Sequence, residues 1–453
     1  IERRATIRSN PGDAALATQE GAAGTPPGTP VEWWAFRENF PAAWDVTTGS
    51  GAVIGVIDTG IDAGHPEFAG RIRSTIDQDS ETDNPGHDDA GHGTHVASLA
   101  CANGGNGVGL AGGAYGCSLV VERSDLSDFS VAQSIVDATN RGADAINMSF
   151  GTDGSHPAAH GIVQAIDYAY KHGVVLVAAA ADDPIDEQGD PSNVLQPTGT
   201  GPDITKGKGL DVTAANVQDQ RATFAGRGTQ ISLAAYGAYQ AADGGGPRGL
   251  FGAFPGNLTS LETGSLASGD PPCNCRAIFN GDSRYAYVAG TSMAAPQVTA
   301  VAAMVRHLNP DLSAADVIGL IKRTARRSGG WNPELGWGML DAGAAIAAAR
   351  ADDRRPPTSR LTTSHKVLGG KITLRLSGSD PAPPDVVASG IARFEIWRSL
   401  DGHKPRKLRT TTSRTVHVAA RRGARYAFYS IAVDKAGNRE TPPGRADARF
   451  TWR

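Results

Sequence analysis

The sequence predicts an α/β fold with a mostly parallel sheet and helices on both faces, followed by a small C-terminal all-β sandwich. Continuously apolar runs of strand length alternate with helical stretches between Trp33 and Ala351, which is typical of strands buried on both faces. After residue 358 the pattern changes to short alternating strands separated by turn residues such as Asp401-Gly402. These patterns predict two domains of different class.

Length and composition agree with a large folded protein. The 453 residues suit two or three domains, and a hydrophobic content of 40% supports a sizeable core. Lys and Arg number 43 against 47 Asp and Glu, a net charge of -4, so the overall balance predicts neither nucleic acid nor an anionic membrane as a partner. No apolar run approaches the roughly 20 residues of a membrane-spanning helix.

Four segments are predicted in chain order. Residues 1–30 are polar and rich in Gly, Pro and Thr, so we expect a mobile leader or the remnant of a removed pro-segment. Residues 31–352 form the α/β domain, residues 353–358 a linker, and residues 359–453 the sandwich. The main predicted strands are 52–57, 143–150, 174–180, 372–376, 392–398, 415–419 and 427–433, and the main predicted helices are 131–141, 158–172 and 292–308.

The first segment that carries chemistry is Val-Ile-Gly-Val-Ile-Asp-Thr-Gly-Ile-Asp at residues 53–62. A buried strand there delivers Asp58 to its carboxyl end, where open parallel sheets place their active sites. Taken alone, an acid after a strand is equally well explained as a cap or turn residue. Asp58 becomes a catalytic candidate through the segments that accompany it.

The second segment is Gly-His-Gly-Thr-His-Val-Ala-Ser at residues 91–98, with glycines on both sides of His92 where a helix can begin. Small neighbours allow the imidazole to stand in a cleft with both nitrogens accessible. His92 and His95 are three residues apart and can also be interpreted as a metal-binding pair. No third ligand follows at a fitting spacing, so no metal site is predicted.

The third segment, Gly-Thr-Ser-Met-Ala-Ala-Pro at residues 290–296, puts Ser292 in the first turn of a helix, where its N–H and the helix dipole can face an oxyanion. Alone, Ser292 is explained as an ordinary N-cap. A serine hydroxyl becomes a nucleophile only with a base in reach and a carboxylate that orients the base. Asp58, His92 and Ser292 supply that set.

The three segments, in the order Asp, His, Ser on an alternating α/β chain, resemble the subtilase (subtilisin-like serine protease) family. The resemblance covers about residues 33–350 and includes the closing run Leu-Gly-Trp-Gly-Met-Leu-Asp-Ala at residues 335–342. It implies a secreted serine endopeptidase made with an inhibitory pro-segment. It also implies that Ser292 is the nucleophile, that His92 is the general base and then the acid, and that Asp58 orients His92.

The resemblance also implies where the substrate lies. The run Asn-Met-Ser-Phe-Gly at residues 147–151 matches the segment that lines the primary specificity pocket, and a second edge strand is expected at residues 124–126. A polypeptide substrate would bind extended between the two. The implied substrate-binding residues are Ser124, Asp125, Leu126, Ser149, Phe150, Gly151, Ala179, Ala180 and Thr291.

One position departs from the family pattern, because Asp182 follows Ala181 where subtilases normally carry Gly and an oxyanion-hole Asn. An amide donates to the oxyanion, whereas an ionised carboxylate repels it, and loss of this donor costs about 10²–10³-fold in turnover in subtilisin itself. Three explanations are open: Asp182 is protonated in a desolvated site, the loop is re-registered so that Asn193 moves in, or the protein is a weakened member. We expect the first, with Asp182 and Ser292 as the oxyanion residues and a more acidic pH optimum.

Calcium is a further implication of the resemblance. The loop at residues 103–109 is similar to a subtilase calcium loop, and Glu67 stands where a relative's carboxylate ligand lies. Calcium takes six to eight oxygen ligands, often carboxylates. This loop has no acid of its own, so a structural calcium ion is not favoured, and we expect no required cofactor.

The four cysteines permit different pairings. Cys101 and Cys117 bracket a Gly/Asn-rich loop, which suits a disulfide that tethers it. Cys273 and Cys275 are separated by one residue, and pairing within that run would close a very small ring, so pairing of each elsewhere remains an alternative.

The C-terminal segment resembles fibronectin type III-like or immunoglobulin-like bacterial domains, on residues 391–397 and 429–438. Such folds host many functions and predict none by themselves. For the whole chain we expect a secreted monomeric endopeptidase with no nucleic-acid partner and no membrane span. The alternative, from a different class, is a pseudoprotease that acts as a binding or scaffold protein, and Asp182 is the residue that supports it.

Overall fold

Two compact units, Ile1–Ala348 and Ala349–Arg453, make up the chain. The structure is a computed structural model and describes residues 11–78, 84, 86–152, 154–265, 271–326, 329–364 and 366–453. The first unit is α/β and the second is all-β, so the predicted fold class is confirmed. The finer segment boundaries around the linker at residues 353–358 stay a prediction.

A seven-stranded parallel sheet forms the framework of the first unit. Its strands are β1 (Val53–Asp58), β2 (Ile72–Asp77), β3 (Ser118–Arg123), β4 (Ala145–Met148), β5 (Val175–Ala179), β6 (Gly209–Ala215) and β7 (Leu233–Tyr236). The strand order is β2-β3-β1-β4-β5-β6-β7, and every neighbouring pair is parallel. Strands β1, β4, β5, β6 and β7 are buried along their whole length, which explains why their sequences are mostly apolar.

The described residues also form α-helices, several of which pack against this sheet. They are α1 (Ala14–Ala17), α2 (Trp33–Arg37), α3 (Phe40–Trp44), α4 (His92–Cys101), α5 (Asp128–Asn140), α6 (His160–Lys171), α7 (Ser192–Leu195), α8 (Ser260–Thr263), α9 (Thr291–Leu308), α10 (Ala314–Thr324) and α11 (Ala342–Ala351), with a 3-10 turn at Pro66–Phe68. The three main predicted helices are confirmed as α5, α6 and α9. Among the described residues, no helix combines the length and apolarity that a bilayer crossing requires.

Helix α5 shows how the local sequence sets one of these elements. The Ser127 hydroxyl accepts the N–H of Ser130 and caps the helix. Val131, Ile135 and Ala138 recur at intervals of three and four residues and are buried in the core beside β1 and β4.

The Gly/Pro-rich insertion before the Ser292 segment folds into a small antiparallel sheet. It contains β8 (Leu250–Ala253), β9 (Arg276–Phe279) and β10 (Asp282–Val288), in the order β8-β10-β9. The sheet packs on α4, since the Ala253 N–H donates to Ser98 Oγ (3.0 Å) and the Leu250 carbonyl lies 3.1 Å from His95 Nε2. The insertion therefore supports the helix that begins at His92.

Residues 11–30 do not form the predicted mobile leader. The Ala14 and Ala15 N–H groups donate to the carbonyls of residues 108 and 109 (3.1 and 2.8 Å), and Ala15 is completely buried. A few small apolar side chains inside a polar segment therefore dock it onto the first unit, which overall composition does not reveal. Residues 1–10, the rest of the predicted leader, lie outside the described residues.

Both cysteine pairs are disulfides. Cys101 and Cys117 are bonded, as predicted for a bridge that tethers the loop between them. Cys273 is bonded to Cys275, so the alternative that each pairs elsewhere is wrong. Cys275 is buried beside Phe254 and Ala286, and Cys273 packs against the same cluster.

The second unit is a sandwich of two antiparallel sheets. Its strands are β11 (Thr358–Thr363), β12 (Lys371–Ser379), β13 (Ile391–Leu400), β14 (Arg406–Thr411), β15 (Thr415–Ala419), β16 (Arg425–Asp434) and β17 (Ala448–Thr451). One sheet has the order β11-β12-β15 and the other β14-β13-β16-β17. Alternate side chains such as Leu374, Phe394 and Phe428 form the core between them. The all-β character is confirmed, and the likeness to fibronectin type III or immunoglobulin domains stays a prediction.

Candidate active site

The carboxyl ends of neighbouring parallel strands meet at one edge of the seven-stranded sheet. Strand β1 ends at Asp58, β4 at Met148 and β5 at Ala179, and these strands are adjacent in the sheet. The Ser124 N–H donates to the Asp58 carbonyl (2.9 Å), so the segment after β3 reaches the same edge. The predicted site residues are thus gathered in one region.

His92 and Asp58 are in direct contact. His92 Nδ1 lies 2.8 Å from Asp58 Oδ1, and Asp58 is only 2% exposed. A Cβ at Gly93 would lie 2.2 Å from the Gly60 carbonyl oxygen, so glycine is required for α4 to approach the end of β1 this closely. The glycine after His92 therefore has a mechanical role that complements the chemistry of its neighbour.

The pKa of His92 is raised above its ordinary value. Burial on its own lowers this pKa, because the imidazolium loses hydration, but the charge of Asp58 and its hydrogen bond to His92 outweigh that loss. The charges of Asp88 and Asp182 raise the pKa further. Neutral His92, the form that can accept a proton, thus predominates only above this raised pKa.

Asp88, which the sequence reasoning missed, organises the turn that precedes His92. It is completely buried, and Oδ1 accepts from Thr59 Oγ1 (2.9 Å) and from the Gly91 N–H (2.8 Å). Oδ2 accepts from the N–H and the hydroxyl of Thr94 (2.8 and 2.6 Å). The sequence feature that could have indicated Asp88 is an acid a few residues before the start of α4. Its hydrogen-bond partners come together only in the folded turn.

Asp88→Ala is expected to lower the free energy of unfolding by about 3 kcal/mol, because several buried donors lose their acceptor. Chemical denaturation of the variant measures this loss. The acid limb of the kcat/KM profile should also move to lower pH, since removal of the Asp88 charge lowers the pKa of His92. Asp89→Ala is the matched control, because the Asp89 side chain is 61% exposed, and its stability change should stay within about 0.5 kcal/mol. Equal losses in the two variants would contradict the prediction.

Ser292 is clamped to the segment after β4. It is the second residue of α9, so its N–H has no partner within the helix. Ser292 Oγ donates to the Ser149 carbonyl (3.0 Å), and Ser149 Oγ donates to the Ser292 carbonyl (2.9 Å). Asn147 Nδ2, in β4, donates to Ser149 Oγ (2.9 Å) and so orients the hydroxyl that bonds to Ser292.

A cavity of about 400 Å³ opens beside Ser292. The predicted substrate-binding residues in its lining are Phe150, Gly151, Ala179, Ala180 and Thr291, and Asp182 also lines it. Sequence reasoning missed Thr152, Ile185 and Gln188, which come from loops that no motif marks. The lining combines apolar walls with a few polar groups, as pockets for side chains do.

The segment 124–126 differs from its predicted role as a second edge strand. Strand β3 ends at Arg123, and Leu126 has a left-handed φ of 60°. Ser124 is buried, with its Oγ 2.7 Å from Ser130 Oγ, and the exposed Asp125 carboxylate accepts the Ser127 N–H. These side chains stabilise a turn, so the segment is not an extended strand. None of the three residues lines the cavity beside Ser292.

Asp182 lies in the loop after β5 and faces the start of α9. Its Oδ1 accepts the Thr291 N–H (2.7 Å) and lies 2.9 Å from Thr291 Oγ1. The residue keeps contact with solvent in the open cleft, yet protein atoms crowd its carboxyl group, and this desolvation raises the pKa of Asp182 against the lowering effect of the Thr291 hydrogen bonds. Asn193, the alternative donor, lies on α7, so Asp182 and not Asn193 holds the place beside Thr291.

Comparison with known proteins identifies the family to which the chain belongs. The model described as the subtilase family matches residues 49–338. The chain belongs to the subtilase family. Thermitase from Thermoactinomyces vulgaris is 29% identical over 317 residues, which cover 68% of this chain and 92% of thermitase. The extracellular protease of Xanthomonas campestris pv. campestris is 30% identical over 369 residues, 70% of this chain and 56% of that protease.

A solved structure agrees with this family. The structure titled as proteases from Pseudoalteromonas arctica PAMC 21717 has a TM-score of 0.59 and 27% identity, and the match covers 75% of this chain and 100% of that one. Relatives are named as a thermitase and as a serine proteinase, and the chain is accordingly a serine endopeptidase of the subtilase type.

The second histidine of the α4 segment is not arranged to share a metal with His92 in this subtilase. His95 is completely buried, its Nε2 lies 3.1 Å from the Leu250 carbonyl, and burial lowers its pKa to about 4. His92 Nδ1 is engaged by Asp58. His95 Nε2 and His92 Nδ1 thus serve different partners, and His95 acts as a neutral link between α4 and β8.

The subtilase loop considered for calcium is held by hydrogen bonds to acids outside it. Glu67 is completely buried, and it accepts the Leu110 N–H (3.0 Å), the Asn106 side-chain amide (3.0 Å) and the Tyr285 hydroxyl (3.0 Å). Burial raises the pKa of Glu67 to about 7. Donors aimed at this carboxylate occupy the oxygens that a calcium ion would need, so the residues as arranged do not fit the ion.

Among the described residues, one acidic cluster brings three side chains close enough to share a cation. The carboxylates of Asp353, Asp380 and Asp434 lie within 4.8 Å of one another. All three belong to the second unit and not to the candidate catalytic set; Asp353 and Asp434 are buried and Asp380 is half-buried.

Proposed function

We propose that this subtilase hydrolyses peptide bonds of extended polypeptides through an acyl-enzyme on Ser292. His92 acts as the general base and then as the acid, and Asp58 holds its tautomer and stabilises its cation. The observation that carries the proposal is the 2.8 Å contact between His92 Nδ1 and Asp58 Oδ1, together with Ser292 in the first turn of α9 beside a cavity of about 400 Å³.

The reaction begins with a change of partner for the Ser292 proton. The hydroxyl donates to the Ser149 carbonyl in the resting site (3.0 Å) and has to turn toward His92 Nε2 when substrate arrives. As Oγ attacks the carbonyl carbon, its proton passes to Nε2, and the imidazolium is stabilised through Nδ1–H by Asp58. His92 then gives that proton to the departing amine, and water repeats the cycle to release the acyl group.

The oxyanion formed by this attack needs donors. The Ser292 N–H, free at the start of α9, is one. Asp182 is the second when it is protonated. Oδ1 of Asp182 accepts the Thr291 N–H (2.7 Å), so we assign the proton to Oδ2. The Oδ2 hydroxyl can then donate to the oxyanion.

The active form therefore holds neutral His92 and protonated Asp182 at the same time. Moving the proton from Asp182 to His92 creates a form with the same number of protons, so the ratio of the two forms does not depend on pH. Below the window in which the pair holds one proton, His92 is cationic and cannot act as a base. Above that window Asp182 is anionic and repels the oxyanion, so activity falls on both sides and the optimum is more acidic than with an Asn.

The cavity favours large apolar side chains at the residue before the cleaved bond. Two of its polar wall groups are occupied within the protein: Gln188 accepts the Ala181 N–H (2.7 Å) and donates to the Arg227 carbonyl (2.9 Å), and Thr152 donates to Asp190 (2.7 Å). The exposed carboxylate of Asp183 also lines the cavity. The surface left for a substrate side chain is thus mainly that of Phe150 and the alanines after β5.

The biological setting that we propose follows the family. The protein acts as a secreted, extracellular monomer on polypeptides, it needs no cofactor for catalysis, and an inhibitory pro-segment accompanies its synthesis. A relative that is 30% identical is named an extracellular protease, which supports the location.

The competing function is a pseudoprotease that binds without cleaving, and Asp182 is the observation that favours it. Digestion of a denatured protein mixture at several pH values, with and without a sulfonyl fluoride or a chelator, separates the possibilities. We expect cleavage after large apolar residues that the sulfonyl fluoride abolishes and the chelator leaves. No cleavage at any pH would support the pseudoprotease, and inhibition by the chelator alone would support a metal-dependent hydrolase.

A further inference from the structure

Charge is segregated between the two units, although the whole chain is nearly neutral. The unit Ala349–Arg453 contains 22 Lys and Arg against 9 Asp and Glu, a formal net charge of +13. The unit Ile1–Ala348 contains 21 against 38, a net charge of -17. Such asymmetry indicates a unit that meets a polyanion, because its field attracts one while the other unit repels it.

A cleft of about 540 Å³ in the second unit concentrates this positive charge. Ten residues line it, of which His403, Lys404, Arg425 and Arg449 are basic and none is acidic. The cleft lies between the β13–β14 turn and the paired strands β16 and β17. We name it the basic groove.

The floor of the basic groove is built from small side chains. Ser399, Ala427 and Arg449 lie opposite one another across β13, β16 and β17, on the face away from the core. The small residues Ser399 and Ala427 leave room between the long basic side chains at the rim. This geometry allows an anionic group to approach several cations at once.

The cations of the groove are available to a ligand. Lys404, Arg425 and Arg449 are exposed, and within the described part of the chain none of them is in an ion pair. The nearby acid Asp401 accepts the backbone N–H of Arg425 through Oδ1 (2.8 Å) and so stabilises the turn. Glu395, further along the sheet, is paired with Lys407 and Arg439.

Aromatic rings near the groove are already stacked within the protein. Tyr426, the aromatic residue of the lining, is 4% exposed and lies against Phe428 with rings 5.8 Å apart and 3° from parallel. The next pair on the outer face, Trp397 and Tyr429, is stacked in the same way at 5.9 Å and 4°. Single-stranded nucleic acids use free ring faces for their bases, so the groove suits a polyanion without bases.

We propose that the basic groove binds an acidic polysaccharide, a sugar chain with repeated sulfate or carboxylate groups, and so anchors the peptidase unit that belongs to the same chain. Lys404, Arg425 and Arg449 contact the anionic groups, and the positive field of the unit steers the chain to them. This binding is independent of peptide hydrolysis, so either one can be tested without the other.

The test uses the full chain with Ser292→Ala, which prevents self-cleavage, and a sulfated heparin oligosaccharide as the probe in titration calorimetry at two salt concentrations. We expect binding that weakens as salt rises. The double variant Arg425→Glu, Arg449→Glu should bind about tenfold or more weakly, since two contacts become repulsive. Lys404→Glu, on the exposed turn, repeats the test with a single change that does not touch a strand.

The matched control is Arg360→Glu with Arg375→Glu, which makes the same change in net charge on the outer face of the β11-β12-β15 sheet. It should weaken binding less than about threefold, because it alters only the distant field. Equal losses in the two double variants, or no binding of heparin by the parent, would overturn the proposal. Tighter groove-dependent binding of an oligothymidylate or of phosphatidylglycerol vesicles would also overturn it and assign a nucleic acid or a membrane instead.

Discussion

Ser292→Ala is expected to lower kcat by about 10⁶-fold, because the hydroxyl is the nucleophile of the proposed mechanism. His92→Ala should lower kcat to a similar extent, since the nucleophile then has no base. The double variant should lose no more than either single variant, because the two residues act as one unit with Asp58. Steady-state hydrolysis of a peptide anilide measures all three.

The control for these variants is His172→Ala, at the exposed end of α6, which should leave kcat unchanged within about twofold. An analogue of a peptide aldehyde in which an unreactive group replaces the aldehyde should bind to Ser292→Ala as tightly as to the parent, since the cavity beside Ser292 stays intact. Either single variant that retained kcat within tenfold of the parent would remove its residue from the proposed triad.

Asp182→Asn is expected to abolish the alkaline limb of the kcat/KM profile. The amide donates to the oxyanion at any pH, so at pH values where Asp182 is ionised the variant should be faster by up to about 10²-fold. The acid limb should stay in place or move to higher pH, because on that limb Asp182 of the parent is already protonated and carries no charge that could raise the pKa of His92. The direction is fixed by the two groups: loss of a proton from Asp182 harms catalysis, and gain of a proton by His92 harms it.

Asp183→Asn is the matched control for that change, since it removes the same charge one residue along the chain. The Asp183 side chain is exposed and has no hydrogen bond to Thr291 among the described contacts. Its pH profile should keep the alkaline limb, which moves only slightly to lower pH because the Asp183 charge is a minor cause of the raised pKa of Asp182. An unchanged profile for Asp182→Asn would show that Asp182 does not donate to the oxyanion.

The candidate triad was predictable because each of its residues lies in a local pattern with a physical cause. Gly93 illustrates this, since the close approach of α4 to Gly60 requires a residue without Cβ and so leaves a mark in the sequence. Asp58 and Ser292 are similarly fixed by a strand end and a helix start. Local patterns of this kind also predicted β5 and α9 to within a residue or two.

Residues that act through long-range contacts were not predictable. Asp88 accepts donors from Thr59, Gly91 and Thr94, and only the folded turn brings these together. The turn at residues 124–126 depends on a side-chain contact between Ser124 and Ser130, which the edge-strand prediction could not include.

Global composition misled in two further places. Residues 11–30 look mobile because they are polar on average, yet a buried Ala15 docks them onto the first unit. The net charge of -4 for the whole chain hides opposite charges on the two units. The basic groove could therefore not be predicted from the overall charge.

Trapping of the acyl-enzyme tests the central claim most directly. An activated ester is mixed with the protein for milliseconds, the reaction is quenched in acid, and the peptide that contains Ser292 is weighed by mass spectrometry. We expect a burst of product close to one equivalent per chain, with the acyl mass on Ser292 and on no peptide of Ser292→Ala. Turnover without a burst and without an acylated Ser292 peptide at any pH would contradict a covalent mechanism at this serine.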